Sequence, residues 1–259
     1  MADTIHTMRR LLADLRIGIS LCTRVPLAPA APVDDGEVAR ASWTFPIAGF
    51  VVGLVGAFVY WLAVRLHVPP EPAAVLALTA TVLVTGAMHE DGLADTADAL
   101  GGSTRERKLQ IMRDSRIGTF GTAALALSFL LRWTALAEIA EMADARAIAI
   151  ALIVAHTASR AVLPAFMYLV PPARADGLST SAGRPPQQSV VVSLGLGILC
   201  LLFAFGPKLA TIALLMLALA ALVLARLAVR QIGGQTGDVL GAQEQIGEAI
   251  LLLIASTMI

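Results

Sequence analysis

Between His89 and Gly121 the chain reads HEDGLADTADALGGSTRERKLQIMRDSRIGTFG, its most polar stretch, with Glu90, Asp91, Asp95 and Asp98 inside nine positions. On a helix Asp91, Asp95 and Asp98 stand at i, i+4 and i+7, which lines their carboxylates along one face. Like charges stacked in this way repel by roughly a few tenths of a kcal/mol per pair in water and by more beside a membrane. The pattern therefore calls for a cation. A donor set of carboxylates, without thiolates and with only His89 nearby, suits a hard ion such as Mg²⁺ better than zinc or copper. Magnesium held by few carboxylates keeps positions for water or substrate phosphates, which points to phosphate chemistry. The competing reading is a solvated acidic face neutralised by the arginines that follow.

Those arginines include Arg113 and Arg116, which flank Asp114 where an apolar segment begins. The two guanidiniums are suited to grip a diphosphate through forked hydrogen bonds while Asp114 completes the metal site. Arg105, Arg107 and Lys108 read instead as basic anchors of an inner loop, and Gly118 and Gly121 leave room for a ligand or a neighbouring helix. Farther along, His156, Ser159 and Arg160 are spaced to share a helix face that offers substrate contacts. Asp176-Gly177-Leu178 reads equally as a turn or a ligand site. Asp238, in Gly233-Gly234-Gln235-Thr236-Gly237-Asp238, suits capping of the last helix and contact with metal or substrate equally. Arg132 reads as an arginine snorkelling toward Glu138, and Trp43, Tyr60, Trp61, Trp133 and Tyr168 as an interfacial aromatic belt.

The elements that carry these residues are set by composition. The 259 residues are 57% hydrophobic with glycine left out, against about 45–50% with glycine included in globular domains. Only 15% are charged, where about 25% is usual, and the mean hydropathy is +0.77. This is the composition of an integral membrane protein. Segments at about 44–66, 72–89, 118–140, 146–169, 186–207, 208–229 and 238–258 each reach the roughly 20 residues needed to cross hydrocarbon, and Pro- or Gly-marked joints such as Pro69-Pro70 and Gly206-Pro207 separate them. No internal repeat is visible. With the N-terminus inside, fourteen Lys and Arg fall on inner segments and three on outer ends, the distribution expected of cytoplasmic loops. The expected fold is all-α, a polytopic bundle of about seven membrane helices in one catalytic domain over 1–259. It includes an interfacial amphipathic helix over 1–25, short cytoplasmic helices and a cytoplasmic acidic/basic catalytic loop over 89–118. The charged N-terminus argues against a cleavable signal peptide. A net charge of zero gives nucleic acid nothing to hold. Cys22 and Cys200, far apart, read as small apolar residues.

The run His89-Glu90-Asp91-Gly92-Leu93-Ala94-Asp95-Thr96-Ala97-Asp98, with Arg113-Asp114-Ser115-Arg116-Ile117-Gly118 and Thr236-Gly237-Asp238-Val239, resembles the cobalamin synthase family of adenosylcobinamide-GDP ribazoletransferases. The likeness extends over nearly the whole chain, including Arg24-Val25-Pro26 and Phe45-Pro46, with Ala99 where glycine is expected. It implies a Mg²⁺-dependent enzyme of the bacterial inner membrane. Such an enzyme joins adenosylcobinamide-GDP to α-ribazole or its 5'-phosphate and releases GMP, the last assembly step of the coenzyme B12 nucleotide loop. On this reading Glu90, Asp91, Asp95 and Asp98 hold the metal, and Arg113 and Arg116 clamp phosphate. His156, Ser159, Arg160 and Asp238 touch substrate, and Asp98 or Asp114 acts as base. The membrane would tether partner enzymes of the corrinoid pathway on the basic inner loops. The alternative is a CDP-alcohol-type phosphotransferase or a prenyltransferase using a lipid diphosphate, although an Asp-Gly-x-x-Ala-Arg run is missing. A transporter is disfavoured because its charges and repeats belong at the bilayer midplane, whereas these acids sit at one face.

Overall fold

In hydrocarbon a backbone can satisfy its N–H and C=O groups only within itself, so long apolar runs fold as helices. The computed structural model describes residues 2–27 and 36–258 and contains no strand among them. Its helices are α1 (Ala2–Cys22), α2 (Glu37–Ala41), α3 (Phe45–Arg65), α4 (Pro70–Thr85), α5 (Met88–Ala99), α6 (Arg105–Ile111), α7 (Thr119–Met142), α8 (Ala145–Ala161), α9 (Leu163–Leu169), α10 (Leu178–Ala182), α11 (Gln187–Ile232) and α12 (Gly237–Ser256).

By length and hydropathy five helical segments can cross a membrane, and a sixth crossing forms if α4 is taken with α5. The segment counted once over α11 has 46 residues, with non-helical backbone at Gly206 followed by Pro207. At about 1.5 Å per residue that length is roughly twice the hydrocarbon thickness. Its two ends lie together: Ser189 donates to the Arg40 carbonyl (2.7 Å), while the Ile232 carbonyl accepts from Arg105 (2.8 Å). Leu201, Phe205 and Ala210, at its middle, belong instead to the core cluster with Tyr60, Ala73 and Ile148 at the far ends of their helices. So α11 is a hairpin that crosses twice, and the chain is a multi-pass membrane protein.

Helices in lipid associate through close packing more than through a hydrophobic drive. Gly49 and Gly53, four residues apart on α3, lie against the backbone of α8 at His156 and Ile153, where a Cβ at Gly49 would come within 2.0 Å of the His156 carbonyl oxygen. That contact sets α8, with its His156 and Arg160, at the centre of the bundle.

The segment expected to span 72–89 stops earlier. Gly86 and Ala87 both take positive φ (68° and 57°), a turn that suits glycine and strains alanine, and α5 leaves α4 at 88°. The acidic stretch is therefore a helix lying across the end of the bundle, beneath which α12 begins. Helix α1 is joined to the bundle by buried Asp14, which accepts from Arg40 Nε and Trp43 Nε1, each at 3.0 Å. Trp43 thus anchors a helix where an aromatic belt residue was expected, and Tyr60 lies in the core at 3% exposure.

Candidate active site

Two glycines bring the acids of different helices together. A Cβ at Gly92 of α5 would lie 2.7 Å from the Asp238 carbonyl oxygen and 3.1 Å from Gly241 of α12, so only glycine lets the helices approach this closely. Asp238 of α12 consequently joins Asp91 and Asp95 on the wall of a cavity of about 480 Å³ that Arg113, Asp114 and Ser115 also line. The capping question at Asp238 is settled locally, because Thr236 is the N-cap, its Oγ1 accepting from Val239 N at 3.3 Å. The Thr236 hydroxyl also lies 3.1 Å from Asp238 Oδ2, to which it donates. Among the described residues no side chain or backbone group bonds the carboxylates of Asp91 and Asp95. Burial first, then the charges of Asp91, Asp238 and Asp98, push the half-buried Asp95 up to about 7. An added cation would reverse that shift.

Asp98, the third member of the expected metal face, is spent on structure. Helix α7 starts without a side-chain cap of its own, and two of its four orphan donors, Gly118 N and Gly121 N, bond the Asp98 carboxylate at 2.7 Å. A buried carboxylate at a helix N-terminus is stabilised by those N–H groups and by the helix dipole. Both oxygens of Asp98, expected at the metal and as base, accept these bonds and cap α7. The space at Gly118 and Gly121 is filled by this carboxylate. Asp114, the other residue expected as base, is engaged differently. Its oxygens accept from the Arg116 side chain at 2.7–3.2 Å, and those bonds hold its carboxyl down to about 2. Arg116 stays on the exposed surface beside Asp114, away from the aspartates, while Arg113 lines the cavity and bonds exposed Asp176 at 2.6 Å. Exposed pairs of this kind stabilise by about 0–1 kcal/mol, so a phosphate can displace Asp176 at small cost.

Glu90 lines the same cavity and leaves its Oε2 without a partner, while its Oε1 faces inward. It enters a buried ionic network in which Arg132 donates to Glu248 (2.9 Å) and lies 3.4 Å from Glu90. Arg160 pairs with Glu244 and, at 3.1 Å, with Glu248; His156 Nδ1 also contacts Glu248. Ser159 donates to Glu244 (3.1 Å), and Gln245 to Glu90 (3.2 Å) and Glu244 (3.0 Å). Arg132 is 1% exposed, so the reading of a snorkelling arginine is wrong: the alternative to pairing was a guanidinium in hydrocarbon. His156, Ser159 and Arg160, expected at substrate, face the glutamates of α12 and line none of the cavities described. His156, Glu244 and Glu248 form the one set among the described residues whose ligand atoms converge within 4.8 Å. We assign no metal there, because the Arg160 guanidinium already bonds both carboxylates. In the looser Asp91–Asp95–Asp238 set, Arg174 acts on Asp238 and no group bonds the carboxylates of Asp91 and Asp95 among the described residues.

Sequence reasoning missed several groups. Arg174, one of the fourteen basic residues of the inner segments, is the positive charge that acts on Asp238, and its Nη1 is buried without a hydrogen-bond partner. Arg105 clamps two loops by donating to the Ala173 and Ile232 carbonyls (2.7 and 2.8 Å). The parallel bridge between Pro172 and Gln235 fixes the same loops to each other. Glu244 and Glu248 were legible as charges inside an apolar segment, the standard signal of intramembrane function or pairing. Their partners were not.

The match to a family model, described as cobalamin-5-phosphate synthase, covers residues 14–256. Among curated relatives, a protein named adenosylcobinamide-GDP ribazoletransferase from Bradyrhizobium diazoefficiens is 58% identical over 97% of this chain and 96% of its own. Proteins of the same name from Mesorhizobium japonicum and Brucella anthropi are 47% and 41% identical, covering 96% and 93% of this chain and 94% and 95% of theirs. No solved structure matches. With its glycine-set meeting of α5 and α12 and a family match running through nearly every helix, the chain belongs to the cobalamin-5-phosphate synthase family.

Proposed function

We propose that this protein is an adenosylcobinamide-GDP ribazoletransferase of the bacterial inner membrane, with a cytoplasmic active site and Mg²⁺ at Asp91 and Asp95. The reaction is supported by the names of relatives that match end to end. The metal is supported by one observation above all: carboxylates from α5 and α12 share a cavity wall, and Asp91 and Asp95 have no partner among the described residues. An oxygen-only donor set beside an arginine-lined cavity fits Mg²⁺, which binds through one or two carboxylates plus substrate phosphates. Bound there, the ion would neutralise the charge that builds on the diphosphate.

The protein's own groups have three tasks. Arg113, released from Asp176, orients the diphosphate of adenosylcobinamide-GDP by forked hydrogen bonds. A ribose hydroxyl of the acceptor attacks the phosphorus bonded to the aminopropanol arm. A new O–P bond forms, the bridging P–O bond breaks, and the electron pair leaves on the GMP phosphate. Asp238, with Thr236 on one oxygen, takes the hydroxyl proton, a role that Asp98 and Asp114 are too engaged to perform. The cytoplasmic placement rests on the basic residues gathered at the end of the bundle that carries α5 and α6. Docking of other corrinoid-pathway enzymes on those loops is part of the same proposal, and recovery of none of them from gently solubilised membranes would count against it.

The test is GMP release by the purified protein given adenosylcobinamide-GDP, with and without α-ribazole, in Mg²⁺ and then in excess EDTA. GMP is expected only when α-ribazole and Mg²⁺ are both present. Release that ignores the acceptor overturns the transferase, and release that ignores EDTA overturns the metal.

A further inference from the structure

A second cavity, of about 300 Å³, lies on the other side of Asp91 and Asp238, which line both spaces. Its walls differ in kind from those of the first. Phe45, Leu163, Met167 and Leu240 supply apolar surface, α1 closes one side with Leu21, and buried Ser179 contributes a hydroxyl. The first cavity presents Arg113, Asp114 and Asp95.

Building on the transferase reading, we infer that the apolar cavity is the acceptor subsite and takes the flat, methylated benzimidazole base of α-ribazole. Transfer requires the acceptor hydroxyl and the diphosphate to meet, and the two cavities share one wall, formed by two of the carboxylates assigned to the chemistry. A base held in the apolar space puts its ribose at that wall. The other parts of the substrates suit the space poorly. Volumes of about 300–1,000 Å³ are those of ordinary small-molecule pockets, so this one sits at the small end and excludes a corrin ring. Guanine carries a dense edge of donors and acceptors, whereas His89, Asp91, Ser179, Ser181 and Asp238 are a polar minority in a lining that is mostly apolar. Dimethylbenzimidazole has apolar methyls and, once joined to ribose, a single free ring nitrogen, which the Ser179 hydroxyl is suited to bond.

The inference predicts a change in acceptor selectivity from apolar residues of the cavity wall. Ala182→Phe fills the cavity from α10 and Met167→Ala enlarges it from α9. In Ala182→Phe the KM for α-ribazole should rise about tenfold or more, that for the one-ring α-riboside of imidazole much less, and that for adenosylcobinamide-GDP by no more than about twofold. Met167→Ala should shift preference by about tenfold toward an acceptor with a larger, naphthimidazole base. Equilibrium binding of α-ribazole alone, followed by its benzimidazole emission with protein in lipid nanodiscs, should weaken in Ala182→Phe in the same proportion. An active wild type whose acceptor ranking is unchanged in both variants overturns the subsite, as does a change confined to the KM of the donor, which would mean that a donor group or a lipid chain fills the cavity. Wild-type protein that binds α-ribazole but releases no GMP overturns the transferase reading and leaves the subsite standing.

Discussion

Glu90 and Asp91 are neighbours in the chain, and Asp238 lies on the same helix as Glu244 and Glu248, yet these acids end in two clusters of opposite character. In the bundle core two guanidiniums and the His156 ring face Glu90, Glu244 and Glu248, so each of these acids has a partner within the protein. At the end of the bundle Asp91, Asp95 and Asp238 meet on a cavity wall, with Arg113 turned to Asp176 and Arg116 to Asp114. The first cluster is a structural joint that ties α5, α7, α8 and α12. The second is an electrostatic deficit held in place by that joint. Burying charge in a bundle is tolerable only with partners, and the proposed function supplies those of the second cluster as an ion and the substrate.

The comparison breaks most sharply at Asp95. Asp95→Asn should lower GMP release by about 10³-fold with thermal stability in detergent unchanged, and near wild-type activity would end the metal assignment. Next comes the core: Arg132→Gln leaves Glu90 and Glu248 short of a cation and should destabilise by about 3–5 kcal/mol, read as a fall in Tm, with activity lost in parallel and partly restored in Arg132→Lys. A variant as stable as wild type would show that the network is dispensable. Gly92→Ala, which forces α5 from α12, should cost about 1–3 kcal/mol and at least tenfold in activity, whereas an unchanged enzyme would mean that Asp238 need not meet Asp95.

A pH series sharpens the contrast further. The ordinary carboxyl value is 3.8 and that of folded Asp95 about 7, so between them the folded protein binds more protons than the unfolded chain. This group's contribution to stability therefore falls as pH rises through that window. Mg²⁺ binds the ionised form, so the rise in Tm that it produces should grow from about pH 5 to about pH 8 and be absent in Asp95→Asn. The smallest stability effect is expected of Arg113→Ala, below about 1 kcal/mol, with an increase of about tenfold in the KM for adenosylcobinamide-GDP and little change for α-ribazole.

Much of this was legible in the chain. Helix spacing placed Asp91 and Asp95 on one face, and both line the charged cavity. The same spacing put Asp98 with them, but tertiary contact turned it to the start of α7, because orphan N–H groups at a helix N-terminus compete for any carboxylate within reach. Arg132 was misread for a related reason. Its distance along a span suggested snorkelling, while its true partners, Glu90 and Glu248, lie 42 and 116 residues away.

By itself the sequence determined the class of fold, since apolar runs of membrane length leave helices as the only economical way to satisfy the backbone, and it determined where the acids and arginines lie along those helices. Tertiary structure alone decided which charges face each other. Pairing between helices depends on the local turn at Gly86-Ala87 and on two contacts between segments distant in the chain, the close approach at Gly92 and Gly241 and the packing of α3 on α8 through Gly49 and Gly53. Those contacts turn Glu90 Oε1 toward the arginine of the core and leave Asp91 on the wall of the cavity that Glu90 also lines.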